Sequence, residues 1–130
     1  VTRFIDTNVL IYAQQAHRHS ARAQEVLAEG GVISVQVLNE LTSVLRKKRR
    51  RAWPDIEAVL EDLAVLLPAP RPLTAETHAS AVSISRDLGF SFYDALIVAS
   101  AMENNCDTIL TEDMRDGQII GPVGICNPFR

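Results

Sequence analysis

The sequence predicts an α/β fold with a mainly parallel central sheet, on three observations. Short strand-like runs (Phe4-Ile5, Val32-Ile33-Ser34-Val35, Thr108-Ile109-Leu110-Thr111) are separated by much longer stretches. Those stretches repeat apolar residues at helical spacing. Glycines and prolines mark the boundaries between them. Strands alternating with helices argue for parallel pairing, and in open sheets of this kind sites form beyond the carboxyl ends of the strands.

The first strand is expected over about Thr2 to Asp6. Thr7 or Asn8 can cap the helix that follows, because both side chains accept from free backbone N–H groups. Ala16 to Ser20 reads as a break. Ser20 is placed to cap a second helix through about Glu29, closed by Gly30-Gly31. Val32 to Val35 is β-branched and reads as a second strand. A long helix follows, with Val37, Leu38, Leu41, Val44 and Leu45 on one stripe, ending in Arg46-Lys47-Lys48-Arg49-Arg50-Arg51. Pro54 suits the first turn of the next helix, whose stripe is Ile56, Val59, Leu60, Leu63 and Leu67. These two apolar helices serve either as core or as partner-contact surfaces. Pro68, Pro70 and Pro72 impose an extended connection. Thr74 begins a helix closed by Gly89, and Ser91 begins another that runs to about Asn104. Thr108 to Thr111 is a strand. Ile119-Ile120 and Val123-Gly124-Ile125 are short, and one of them is expected at the sheet edge.

The 130 residues, 47% apolar and 22% charged, suit one globular domain over 1–130. No apolar run approaches the eighteen or so residues that span a bilayer, and the N-terminal stretch lacks the pattern of a secretory signal. Cys106 and Cys126 do not form a disulfide framework, so a cytoplasmic protein with reduced thiols is expected. The net charge of −3 hides an asymmetry: without the six-residue basic run, seven basic residues face sixteen acidic ones. A positive patch on an otherwise negative molecule suits a polyanion held near an acidic centre.

Four acids stand out. Asp6 interrupts an apolar run at the end of the first strand, where a charge is costly unless paired or bound to a metal. Asp113 lies just beyond the strand ending at Thr111, so both acids should open onto one crevice. Asp94 starts a helix that is apolar almost all round and therefore central. Ser91-x-x-Asp94 also matches a capping box, and a helix N-terminus steadies a carboxylate. Glu40 sits between Leu38 and Leu41 on the long helix and reaches the crevice only if that helix lies along it. Each acid has a plainer role available, as a cap, a turn residue or a half-exposed helical Glu.

Two unit charges 4 Å apart repel by about 4 kcal/mol at an effective dielectric of 20. Several carboxylates in one cleft therefore imply protonation or a cation between them. Oxygen ligands favour Mg2+ or Mn2+. His17 and His19, flanking Arg18 in a loop, and His78 on a helix read as surface residues. A hard divalent cation held by acids suits phosphoryl chemistry, since it polarises a phosphate oxygen and activates a water for in-line attack. Arg46, Lys47, Lys48, Arg49, Arg50 and Arg51 could then hold a phosphate backbone, or could simply be a solvated helix end favoured by the helix dipole.

The chain resembles a PIN-domain nuclease, and most closely the VapC-type toxins of toxin–antitoxin pairs. The resemblance rests on Phe4-Ile5-Asp6-Thr7-Asn8-Val9-Leu10, Asn39-Glu40, Tyr93-Asp94-Ala95-Leu96-Ile97, Leu110-Thr111-Glu112-Asp113 and Asn127-Pro128-Phe129. It implies a three-layer α/β/α fold and a Mg2+-dependent endoribonuclease. Asp6, Glu40, Asp94 and Asp113 match the acidic set, with Asp6, Asp94 and Asp113 as metal ligands. Thr7, Asn8, Thr111 and Asp116 match auxiliary positions. The resemblance further implies a homodimer, an RNA substrate and a small DNA-binding antitoxin of the VapB kind. The basic run is not part of the family's motif.

Three other functions compete. A phosphatase of the haloacid dehalogenase type would want Asp-x-Asp, whereas Asn8 occupies the third position here. A non-catalytic PIN-like RNA-binding module would keep the fold without metal. A phospho-receiver would want paired acids and a late Lys, yet every Lys is at position 47 or 48.

Overall fold

The computed structural model describes residues 2–130. Its order is β1 (Arg3–Ile5), α1 (Thr7–Ala13), α2 (Ser20–Glu29), α3 (Val35–Lys47), α4 (Trp53–Leu66), α5 (Ala75–Leu88), α6 (Phe92–Glu103), β2 (Thr108–Leu110), β3 (Ile119–Ile120) and β4 (Val123–Cys126). The strands form one sheet in the order β1-β2-β4-β3. β1, β2 and β4 run parallel, and β3 pairs antiparallel at the edge. The mainly parallel α/β sheet is what the sequence pattern predicts, and the α/β/α layering is what the family resemblance implies.

Both expected C-terminal strands exist, and β3 is the edge one. The expected strand over Val32 to Val35 contracts to single bridges, Phe4 to Val32 and Ser34 to Arg71. The cause is local. Ser34 is extended and caps α3, accepting from the Val37 N–H at 3.4 Å, so the chain turns helical at Val35. Two other caps differ from expectation. Asp6 itself, not Thr7 or Asn8, caps α1. His19 precedes α2 without a side-chain cap, and Ser20 is already helical, its hydroxyl accepting from the His17 N–H at 2.9 Å and donating to the Gln15 carbonyl. The remaining punctuation falls where the sequence puts it. Thr74 and Thr77 form a reciprocal capping box at α5, Gly89 ends that helix at φ +76, and Ser91 caps α6.

Strand residues Phe4, Ile5, Ile109, Val123 and Ile125 pack with Val9, Val37, Leu41, Leu45, Ile97 and Val98 in one buried core. The stripe of α4 (Ile56, Val59 and Leu63) belongs to it, so the apolar faces of α3 and α4 are core. A smaller cluster of Ala81, Ala95, Leu96 and Ala99 joins α5 to α6. This packing buries α6 on nearly all sides and fixes its N-terminus, where Asp94 sits. No helix among the described residues is long and apolar enough to cross a membrane.

Candidate metal centre

The centre is built on the paired ends of β1 and β2. Ile5 lies opposite Leu110 in parallel register, and the Asp6 N–H donates to the Leu110 carbonyl at 3.0 Å. The next side chains along, Asp6 and Thr111, therefore meet. The Thr111 hydroxyl donates to Asp6 Oδ2 at 2.8 Å and accepts from the Asn8 amide at 3.3 Å and from the Asp113 N–H at 3.1 Å. One donor and two acceptor sites use the full capacity of a hydroxyl. Asn8 is used at both ends: its amide also donates to Asp113 Oδ2 at 3.1 Å, and its oxygen accepts from the Glu112 N–H at 3.3 Å. The Thr7 N–H binds Asp6 Oδ1 at 2.7 Å, and the Thr7 hydroxyl donates to Glu40 Oε1 at 3.4 Å. Asp6, Thr7, Asn8, Glu40, Thr111 and Asp113 thus form one connected network.

The electrostatics bring in Asp94. Asp6 is buried (4% exposed), and that burial is the largest cause raising its pKa to about 6. The Thr111 and Thr7 hydrogen bonds oppose it, and the charges of Asp113 and Asp94 add to it. Glu40 is raised to about 7, first by burial and then by the charge of Asp6, with a smaller contribution from Asp94. Asp94 is also raised, by burial foremost and by Asp113, with Ser91 opposing. Among the described residues, no Lys, Arg or His forms an ion pair with any of these four acids.

The carboxylates do not close tightly: among the described residues no three His, Cys, Asp or Glu side chains converge as a ready-made metal cluster. The donor chemistry still fits a hard divalent cation. Mg2+ keeps several waters and takes only one or two carboxylates directly. Oxygen donors short of positive charge supply what it needs.

A cleft of about 500 Å3 opens beside Glu40, lined by Gln36, Asn39, Glu40, Ser43, Val44 and Tyr93. The long helix α3 therefore lies along the crevice. The sequence pattern does not single out Gln36, and it gives Tyr12 no role. Gln36 lies one turn before Glu40 and is buried (8% exposed), and its side chain opposes the rise in the Glu40 pKa; that i,i+4 spacing is the available signal. The Tyr12 phenol interacts with Glu112, which pushes its pKa up to about 12. Asp116 is engaged elsewhere: it accepts from the Asn127 N–H at 2.8 Å and faces Arg130 at 3.8 Å. The basic run divides. Arg46 lies over the Trp53 ring at 4.8 Å and donates to the Arg51 carbonyl, while Arg51 donates to the Gln14 carbonyl at 2.9 Å. Lys47, Lys48, Arg49 and Arg50 are exposed.

The fold recurs in solved structures. VapC20 of Mycobacterium tuberculosis, described as a sarcin-ricin loop cleaving toxin, superposes with TM-score 0.68 at 20% identity over 86% of this chain and 92% of that one. A toxin–antitoxin complex from Klebsiella pneumoniae gives 0.75 at 18% identity over 98% of each chain. VapBC2 from Rickettsia felis, bound to a DNA fragment from its promoter, gives 0.71 at 19% identity over 96% and 97%. No curated protein matches the chain in sequence. The PIN domain family model matches residues 3–116, a span that includes β1, β2, both of their terminal acids and the helices that carry Glu40 and Asp94. With these acids on this sheet and that match, the chain belongs to the PIN domain family.

Proposed function

We propose that this protein is a metal-dependent endoribonuclease, the toxin of a toxin–antitoxin pair, with Asp6, Glu40, Asp94 and Asp113 as its acidic centre. The observation that carries the proposal is the buried carboxylate of Asp6, held near three other acids with no ion-paired cation among the described residues to balance them. Asp6, Asp94 and Asp113 would hold the ion, Mg2+ or Mn2+. When bound, the ion supplies Lewis-acid polarisation of the phosphate and activation of the attacking water. The protein's own residues do the rest. Thr111 and Thr7 orient the two Asp6 oxygens. Asn8 fixes Asp113. Glu40, whose pKa of about 7 matches neutral pH, is suited to take a proton from the attacking water or to orient it.

The similar structures support the rest of the reading. One is a toxin that cleaves the sarcin-ricin loop, one is a toxin–antitoxin complex, and one is a VapBC pair on promoter DNA. They favour RNA as substrate and an antitoxin that shares in DNA binding as partner; the homodimer rests on the family resemblance alone. A dehalogenase-type phosphatase is disfavoured by Asn8. Its amide donates to Asp113, and an Asp there would turn that hydrogen bond into repulsion.

The test is direct. Purified protein with Mg2+ or Mn2+ should cut structured RNA, EDTA should abolish cutting, and Asp6→Asn should lower the rate by at least about 100-fold, the scale of losing one acid–base or charge-stabilising group. Cleavage that survives both treatments refutes the mechanism.

A further inference from the structure

A second hollow, about 200 Å3 in volume, is lined by Asn8, Tyr12, Gln15, Val44, Lys48 and Arg49, among others. Asn8 also holds Asp113, so one end of the hollow adjoins the acidic centre. Val44 lines both this hollow and the cleft beside Glu40, so the two adjoin along α3. The α3 side of the hollow carries two cations. Among the described residues Lys48 and Arg49 make no ion pair, whereas Arg46 and Arg51 are occupied with Trp53 and with backbone carbonyls. The α1 side carries an aromatic side chain, Tyr12, whose ring packs against other rings. His17 stacks on the Tyr12 ring at 4.3 Å and 22°, and Phe129 meets it edge-on at 5.2 Å. His17 is held in turn, its Nδ1 accepting from the His19 N–H at 3.0 Å.

We propose that this hollow is a nucleotide subsite for unpaired RNA, in which Tyr12 packs against a base while Lys48 and Arg49 hold the adjoining phosphate. The proposal rests on the nuclease function above and adds to it which residues guide the strand. Gln15, an amide with both donors and an acceptor, sits where it can meet the edge of the base. A base inside a duplex is already stacked on its neighbours, whereas an unpaired base can pack against an aromatic ring. An acidic peptide would use the two cations but would gain nothing from an aromatic ring and would meet Asp113 at the far end.

Three labelled probes test this by fluorescence anisotropy in EDTA, where nothing is cut: an eight-nucleotide oligouridylate, an abasic ribose-phosphate chain of the same length, and an octa-aspartate peptide. The wild type should prefer the uridylate to both. Lys48→Ala/Arg49→Ala should weaken both nucleic-acid probes, and the slope of log K against log salt should fall by about 0.7 for each lost phosphate contact. Tyr12→Leu should weaken the uridylate roughly tenfold and leave the abasic chain unchanged. Tyr12→Phe, which keeps the ring and loses the interaction with Glu112, should bind as the wild type does, and weaker uridylate binding by it would overturn the role of the ring; the exposed Lys48→Ala/Arg49→Ala pair tests the subsite even where Tyr12→Leu does not fold. Unchanged uridylate affinity in the double variant or in folded Tyr12→Leu overturns the subsite. Binding of the peptide as tightly as the uridylate also overturns it. The nuclease function fails separately: a wild type that shows these binding differences yet cuts no RNA with Mg2+ keeps the subsite and loses the enzyme.

Discussion

Asp6 is the residue where folding and function oppose each other. Its carboxyl is buried at the end of β1, and burial together with neighbouring acids raises its pKa to about 6. A folded state that holds a proton more tightly than the unfolded chain loses stability as that proton leaves. With respect to this group, the metal-free protein should therefore be most stable at and below about pH 4 and should lose stability as pH rises toward 6, where the loss levels off. For Asp6 alone the full loss is on the order of 3 kcal/mol. Urea melts at pH 5 and pH 7.5 in EDTA check the direction, and Asp6→Asn should be more stable than the wild type at pH 7.5 and should flatten the trend. Thr111 acts on the same carboxylate from the other side. Its hydroxyl donates to Asp6 and lowers its pKa, so Thr111→Val should move the Asp6 titration to higher pH by about one pH unit, the scale of a hydrogen bond to a charged group. Carboxyl NMR of the metal-free protein would read the change, and Thr111→Ser should restore the wild-type value.

The elements matter because they fix where these side chains can stand. β1 and β2 deliver Asp6 and Thr111 side by side only if their register holds. The segment leaving α2 lies along the other edge of β1, where the Val32 N–H donates to the Arg3 carbonyl and the Ile5 N–H to the Val32 carbonyl. That close approach needs a glycine. At Gly31 an added Cβ would lie 2.7 Å from the Ile5 Cδ1 and 3.0 Å from the Arg3 carbonyl. Gly31→Ala should thus destabilise the protein by about 1–3 kcal/mol through overpacking. At Gly124 an added Cβ would meet the Ile119 Cδ1 at an ordinary 3.5 Å, so Gly124→Ala should change stability by no more than about 0.5 kcal/mol. Chemical melts of the two variants give both values, and equal midpoints would show that the approach at Gly31 relaxes freely. Elements also decide what can be read from sequence. Thr74, Gly89, Ser91 and Pro54 announce helix ends because capping is local chemistry, decided within three or four residues. The start of α2 is less visible, because Ser20 is already helical and its hydroxyl turns back to His17 and Gln15. The four acids stand out as charges in or beside apolar runs. The resemblance also picks out Thr7, Asn8 and Thr111, but not which acid each one holds: Thr7 meets Glu40 and Asn8 meets Asp113 only after distant segments pack. The place of Tyr12 among His17, His19 and Phe129 is hidden for the same reason.

Over the whole molecule, charge is arranged along α3. Glu40 stands beside the acidic centre, and the basic run begins at the end of the same helix. A net charge of −3 therefore describes neither end. The acidic end is the less stable arrangement without a cation, and anything that binds only the folded state stabilises it by mass action. All of this depends on acids from separate segments sharing one divalent ion. Calorimetric titration of the metal-free protein with Mn2+, repeated for Asp6→Asn and Asp94→Asn, measures that sharing. The wild type should bind, and each variant should bind at least about tenfold more weakly, the cost of losing one charged ligand. No binding by the wild type, or binding that Asp94→Asn leaves unchanged, would mean that these acids do not share an ion.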